Sequence, residues 1–151
     1  MRWPELAGRP FSLTTDRFFN LRQNVLYAAW TTDLDHWFAA PGTLIMKAEI
    51  NSVFFFETQH RLRGDRCVSR QPHYGRFLKL VPYELIVMTW LTGEEGTGGA
   101  ETILSIELIP QGDGTVLRLT HEGFRDEDTR DEHGEAWPYV LSHLERSYSS
   151  R

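Results

Sequence analysis

The chain has 151 residues, of which 40% are hydrophobic and 25% are charged, and this composition predicts a single globular domain. Its formal net charge of −5 argues against nucleic-acid binding, which depends on Lys and Arg contacts to phosphates. The single cysteine, Cys67, excludes an internal disulfide and favours a reducing compartment. No signal-peptide pattern is present, and every apolar run is far shorter than the roughly 18 residues of a membrane span. We therefore expect a cytoplasmic protein without a membrane partner.

The first 40 residues predict an arm, a strand and two short helices. Residues 1–10 contain two prolines and no periodic pattern, so we expect a flexible arm ahead of one domain over residues 11–151. Phe11–Phe19 is predicted as the first strand. Apolar residues at helical spacing then predict a helix over Leu21–Thr31, with Asn20 as its cap, and a second short helix over Leu34–Phe38.

From residue 43 the hydrophobic pattern changes to the alternation that is typical of strands. Six strands are predicted, over Thr43–Ile50, Val53–His60, His73–Val81, Leu85–Thr92, Glu101–Ile109 and Thr115–Glu122. Arg61–Gln71 is predicted as a charged loop, and a last helix as Asp126–Ser147. Pro138 lies inside this helix and should kink it near Gly134. Strands in succession, with the helices grouped apart from them, predict an α+β fold with an antiparallel sheet.

The sequence contains no catalytic or metal-binding signature. The glycine-rich segment Gly93–Ala100 joins two predicted strands and lacks a following helix, so it predicts a hairpin turn and not a phosphate site. The six histidines show no HxH or HExxH spacing, and one cysteine cannot build a multi-thiolate site. We expect no metal and no cofactor.

His121 is the most prominent polar residue of the predicted interior. Alternation in the last strand places it on the same face as Leu117 and Leu119, opposite Trp137 of the last helix. A neutral imidazole in an apolar wall can orient the carbonyl or hydroxyl group of a ligand. The alternative, which is the more common one, is a structural histidine bonded to a neighbouring protein group. His73 is a weaker candidate for a second polar contact near a cavity mouth.

The order of these elements resembles the START-like helix-grip superfamily (SRPBCC), and within it the branch named for the activator of heat shock protein 90 ATPase. The segments that carry the resemblance span most of the chain and are Ala28–Phe38, Gly75–Trp90, Glu101–Phe124 and Asp131–Arg146. Members commonly begin their first helix with Ala-Pro, where this chain has Asn20-Leu21.

The resemblance implies a curved antiparallel sheet of about seven strands that wraps around a long C-terminal helix. It also implies a cavity between sheet and helix that holds a hydrophobic small molecule in many members. Alternation then nominates the following lining residues: Phe54, Phe56, Thr58, Met88, Trp90, Leu104, Ile106, Leu117, Leu119, His121, Trp137 and Leu141. The inward direction of Met88 and Trp90 is left open by the pattern.

Three functions follow as hypotheses. The first is non-catalytic binding of a hydrophobic small molecule in that cavity. The second is an enzyme similar to the polyketide cyclases and aromatases of the superfamily, with His121 or His73 as general acid or base. The third is a co-chaperone or stress-response module, which rests on the family name alone. Val53 and Phe55, with Ile103, are expected on the outer face of the sheet and would suit a homodimer contact.

Overall fold

The computed structural model describes residues 2–61, 68–93, 96–97 and 99–149. A single turn of 3-10 helix at Leu34–His36 follows the first helix. The remaining elements, in chain order, are β1 (Phe11–Phe19), α1 (Gln23–Ala29), β2 (Val53–Arg61), β3 (Val68–Val81), β4 (Leu85–Thr92), β5 (Thr102–Gln111), β6 (Gly114–Phe124) and α2 (Glu127–Ser149).

The strands form one curved antiparallel sheet in the order β1-β6-β5-β4-β3-β2. Each neighbouring pair except β1 with β6 joins strands that are consecutive in the chain, as short turns require. Helix α2 lies against the inner face and buries Trp137, Leu141 and Leu144 there. The predicted α+β helix-grip fold is confirmed, with six strands in place of seven.

The missing strand is the predicted Thr43–Ile50, which forms only one isolated bridge, between Ile45 and Phe55. The pairing stops there because the backbone that follows bonds elsewhere. The Glu49 amide donates to the carbonyl of Lys47 at 2.8 Å, and the Asn51 amide donates to that of Phe77 at 2.7 Å. Alternation in a sequence reports which side chains are apolar, but it does not report whether a neighbouring strand is available to pair.

Three predicted boundaries are also corrected. Helix α1 begins later than predicted, with Arg22 at its N-cap and no side-chain capping bond. The predicted helix Leu34–Phe38 is only a 3-10 turn that ends at His36. Strand β3 begins at Val68, so the end of the predicted charged loop is extended and pairs with β2. Residues 62–67 of that loop, which include Cys67, lie outside the described residues.

Helix α2 continues through Pro138 as one element of 23 residues. Its start is capped by Asp126, whose carboxylate accepts a hydrogen bond from the Thr129 amide at 2.7 Å. That bond holds the pKa of the Asp126 carboxyl below its usual value. Among the described residues, no helix is both long and apolar enough to cross a membrane.

The N-terminal arm lies on the outer face of the sheet. The Arg9 guanidinium donates to the carbonyls of Glu101 and Gly123 at 3.0 and 3.1 Å. Leu6 packs on a small outer cluster that contains Ile103. Ile103 is therefore buried beneath the arm and is unavailable for the predicted dimer contact, whereas Val53 is 70% exposed.

Candidate functional site

His121 is the centre of a hydrogen-bonded chain that joins α2 to three strands, β6, β5 and β4. The indole N–H of Trp137 donates to His121 Nδ1 at 3.1 Å. On the other side of the ring, His121 Nε2 lies 2.7 Å from the hydroxyl oxygen of Thr102. That hydroxyl in turn donates to the carbonyl of Trp90 at 2.5 Å.

The donors in this chain fix the protonation of the imidazole. The Thr102 hydroxyl donates its proton to the Trp90 carbonyl, so it can only accept a hydrogen bond from His121. The Nε2 atom of His121 therefore carries the proton. Nδ1 must then be the acceptor for Trp137, and a doubly protonated ring would lose that bond. Burial holds the pKa of His121 well below its usual value, and the neighbouring His133 adds to the effect. His121 is therefore neutral in the folded chain, and both of its ring nitrogens bond protein groups, as the structural alternative expects.

His133 shares this environment at the start of α2. Its ring packs against the rings of His121 and Phe124, at centroid distances of 5.2 and 5.0 Å. Its Nδ1–H donates to the Thr129 carbonyl at 2.9 Å. Burial lowers the pKa of His133, while that hydrogen bond and the charge of Glu132 partly oppose the shift.

Because folding lowers the pKa of both histidines, we predict that the free energy of unfolding falls in mild acid. Both bind protons more weakly in the folded chain than in the unfolded chain, whose histidines have a pKa of about 6.5. Their contribution to the free energy of unfolding is therefore fully present above that pH. It is lost as the pH decreases from there, by up to about 1.4 kcal/mol per pH unit for each proton. Urea unfolding between about pH 8 and pH 5 measures this slope.

Replacement of both histidines by glutamine supplies the check on that prediction. The double variant is expected to be less stable at every pH but to show a clearly shallower slope below about pH 6.5. An unchanged slope would show that other groups cause the acid sensitivity.

The predicted lining residues pack against one another beneath α2. All twelve are buried, each with at most 4% of its surface exposed, namely Phe54, Phe56, Thr58, Met88, Trp90, Leu104, Ile106, Leu117, Leu119, His121, Trp137 and Leu141. Met88 and Trp90 point inward, which the sequence left open. Trp90 lies 5.7 Å from both Phe56 and Trp137, measured between ring centroids, so side chains occupy the centre of the predicted cavity. The role of these residues in ligand binding stays a prediction.

Phe38, which sequence reasoning did not select, lies in the middle of this aromatic cluster. Its ring stacks on Trp37 at 4.9 Å and lies nearly parallel to Trp90 at 6.2 Å. Four further rings surround it at centroid distances of 5.4 to 6.4 Å, those of Phe56, His73, Trp30 and Trp137. The sequence signal was the aromatic pair Trp37-Phe38 directly before Ala39-Ala40-Pro41-Gly42, a small-residue segment that does not continue the helix.

An open groove of about 340 Å³ lies on the outer side of Phe38, where α2 meets the edge of β2. Its lining residues are Trp37, Phe38, Ala40, Thr58, Gln59, Tyr139, Val140 and His143. Thr58 is the one predicted lining residue that borders it. No Asp, Glu, Lys or Arg belongs to this lining, so the groove favours an uncharged, mainly apolar molecule.

Hydrogen bonds fix the inner wall of the groove. The indole N–H of Trp37 donates to the carbonyl of Ala29 at 2.7 Å. His143, on α2, donates from Nε2 to the carbonyl of Trp37, also at 2.7 Å. The wall is thereby attached to α1 and to α2 at once.

A second hollow of about 470 Å³ is larger but differs in character. It lies between the start of α1 and the turns around Tyr83 and Asp113, and Arg22 also borders it. Polar and charged groups line it, and it shares no residue with the groove at α2. Among the described residues, no group of three or more His, Cys, Asp or Glu side chains is placed to hold a metal ion.

Comparison with protein families gives one match. The family model described as Activator of Hsp90 ATPase homolog 1-like protein matches residues 20–148. The matched range contains every residue of the groove lining. It also contains the four hydrogen-bonded residues Trp90, Thr102, His121 and Trp137. The comparison with curated proteins gives no match.

Several solved structures share the fold at low sequence identity. Protein CV1439 from Chromobacterium violaceum is 22% identical, with a TM-score of 0.73 over 91% of this chain and 96% of its own. Protein MLL2253 from Mesorhizobium loti is 20% identical, with a TM-score of 0.69 over 93% and 98%. The Aha1 dimer from Colwellia psychrerythraea is 17% identical, with a TM-score of 0.64 over 89% and 93%. Identities this low establish the common fold and no shared ligand.

Proposed function

Since the chain belongs to the Activator of Hsp90 ATPase homolog 1-like family, we propose that it binds an uncharged, mainly apolar small molecule without transforming it. The observation that carries the proposal is the groove of about 340 Å³ between α2 and the edge of the sheet. Its volume lies within the range of small-molecule sites, about 300–1,000 Å³. Trp37, Phe38 and Val140 offer apolar contact, and the polar side chains of Gln59 and His143 border the same groove.

The state of His121 supports binding over catalysis. A general acid or base must reach the substrate and must exchange a proton near the working pH. His121 is fully buried, and protein groups occupy both of its ring nitrogens. The cyclase-like alternative would therefore have to rely on His73, whose Nδ1–H donates to the Gln71 carbonyl at 3.1 Å.

The outer surface supports a weaker second proposal, contact with a protein partner. Val53 lies on the edge strand β2 and is 70% exposed, and Ile45, which bridges to Phe55 of that strand, is 68% exposed. A strand edge with exposed apolar residues favours association with a second copy of the chain. Native mass spectrometry separates monomer from dimer and also detects any small molecule that remains bound during purification.

The binding proposal predicts that a charge in the groove strongly weakens the binding of an apolar probe. The probe is N-phenyl-1-naphthylamine, which is uncharged and becomes fluorescent in apolar surroundings. Val140→Asp would place a carboxylate against the bound probe, and we expect at least a roughly tenfold loss of affinity, about 1.4 kcal/mol. Fluorescence titration at neutral pH measures this loss.

Ser142→Asp is the matched control. It adds the same charge to the same helix but outside the groove lining, next to Arg146, which already donates to Ser142 at 2.6 Å. This variant should bind the probe like the unmodified protein. Failure of the unmodified protein to bind, or equal binding by Val140→Asp, would contradict the proposal.

A further inference from the structure

We infer that the ring of Phe38 occupies the inner half of the ligand site and gives way to an uncharged aromatic ligand whose hydrogen-bond acceptor pairs with the indole N–H of Trp30. This inference rests on the proposed function, because the ligand would enter through the groove at α2. The groove alone favours any uncharged, mainly apolar molecule, and this inference restricts the ligand to an aromatic one with a hydrogen-bond acceptor.

The position of the Phe38 ring is suited to any flat ring. Trp37 and Trp90 lie nearly parallel to it, at interplanar angles of 20° and 14°. Phe56 and Trp137 meet it at steeper angles of 57° and 65°. Offset-stacked and edge-to-face arrangements are the favourable geometries for aromatic pairs, each contributing about 0.5–1.5 kcal/mol beyond simple burial. A ligand ring in this position would make the same contacts.

Phe38 is also the member of the cluster that is best placed to leave. It is only partly buried and belongs to the lining of the groove, whereas Phe56 and Trp90 are buried side chains on strands. Its backbone amide is held by the Leu34 carbonyl at 2.9 Å, and a side-chain rotation leaves that bond intact. Trp37 keeps its place during such a rotation, because Ala29 and His143 hold it.

The indole N–H of Trp30 supplies an independent indication of what the ligand carries. Trp30 is 1% exposed, and its N–H has no hydrogen-bond partner among the described residues. A buried donor without a partner costs about 1–3 kcal/mol. The Phe38 ring, with its centroid 6.4 Å from that of Trp30, carries no oxygen or nitrogen atom and offers this N–H at most a weak contact with its π face. A substituted ligand ring in the same position would bring a carbonyl oxygen within reach.

The test compares acetophenone with cumene, which have the same ring and the same number of non-hydrogen atoms but differ in the carbonyl acceptor. Proton–nitrogen correlation spectra resolve the indole N–H groups of the five tryptophans, and Trp30→Phe assigns the Trp30 signal. We expect acetophenone to move that signal downfield and to shift the ring protons of Phe38. Cumene should also shift the Phe38 ring protons but should not move the Trp30 indole N–H signal downfield.

Variants of Trp30 and Phe38 separate the contribution of the hydrogen bond from the cost of displacing the Phe38 ring. Trp30→Phe should weaken acetophenone binding about fivefold, since one hydrogen bond contributes about 1 kcal/mol, and should leave cumene binding within about twofold. Phe38→Ala should strengthen the binding of both probes, because no side chain has to be displaced first. Phe38→Leu replaces it if the alanine variant does not fold.

The outcomes distinguish this inference from the proposed function. If acetophenone shifts only signals of Val140 and Tyr139, and Trp30→Phe has no effect, ligand binding in the groove stands and the inner site is wrong. If neither acetophenone nor N-phenyl-1-naphthylamine binds, both proposals fail.

Discussion

Replacement of His121 by alanine is expected to lower the free energy of unfolding by about 3 kcal/mol or more. The variant loses a buried ring and also leaves the indole N–H of Trp137 without its acceptor. Thr102 loses the donor from Nε2 but keeps its bond to the Trp90 carbonyl. The penalty is therefore concentrated at Trp137, the residue that attaches the middle of α2 to the sheet. Urea unfolding measured by tryptophan fluorescence gives the difference.

A double-mutant cycle shows whether the loss belongs to this hydrogen bond. Trp137→Phe removes the indole donor and keeps an aromatic side chain, and alone it should cost about 1–3 kcal/mol. Combined with His121→Ala it should cost clearly less than the sum, with a coupling of about 0.5–3 kcal/mol. Additive losses would mean that the two residues contribute through packing alone.

Thr120→Ala is the control on the same strand. Thr120 is adjacent to His121 but faces the opposite side of the sheet, where its hydroxyl lies 3.4 Å from that of Thr14. The pair is exposed, so the change should cost well under about 1 kcal/mol. A large loss in this variant would show that β6 is sensitive to any substitution.

The position of His121 illustrates what the sequence can predict. Alternation over residues 115–122 placed Leu117, Leu119 and His121 on the inner face, and the structure confirms it. This inference succeeds because the direction of a side chain in a strand depends only on its neighbours in the chain. The partners of His121 could not be predicted, because Thr102 and Trp137 lie 19 and 16 residues away and meet it only in the folded chain.

Alternation did not predict the direction of the Phe38 ring, and it wrongly predicted a strand over Thr43–Ile50, where only one isolated bridge forms. The direction of the Phe38 ring depends on an irregular segment after the 3-10 turn, where no period applies. The groove itself arises where three separate elements meet, represented by Trp37, Thr58 and Val140. Such a site depends on the packing of distant segments, so alternation identified the buried residues beneath α2 but, of the groove lining, only Thr58.

Gly75→Ala is expected to destabilise the protein by about 3 kcal/mol or more, because no side chain fits between β3 and β4 at this point. A Cβ on Gly75 would lie 2.1 Å from the carbonyl oxygen of Thr89 and 2.8 Å from its hydroxyl oxygen. Real Cβ atoms essentially never come within 3.0 Å of such atoms, so a strand backbone would have to move. The Thr89 hydroxyl also accepts a hydrogen bond from the Arg76 amide at 2.9 Å, and that bond would be disturbed.

The displacement would extend into the candidate site. His73 lies two residues before Gly75 on β3, and Trp90 follows Thr89 on β4, with their ring centroids 5.3 Å apart. Any separation of the two strands therefore loosens the aromatic cluster around Phe38. We expect Gly75→Ala to reduce near-ultraviolet circular dichroism, which reports the packing of these rings, as well as the free energy of unfolding.

Gly134→Ala is the matched control, since it adds the same methyl group at a glycine with room to accept it. A Cβ there would lie 3.8 Å from Leu13 Cδ2, an ordinary van der Waals distance. Gly134 lies within α2, where alanine is favoured over glycine by about 1 kcal/mol, so this variant should be more stable. Opposite signs for the two glycines would identify the close approach of β3 to β4 as the cause. A Gly75→Ala variant as stable as the unmodified protein would show instead that the sheet adjusts there at little cost, and the tight packing of the aromatic cluster would need another explanation.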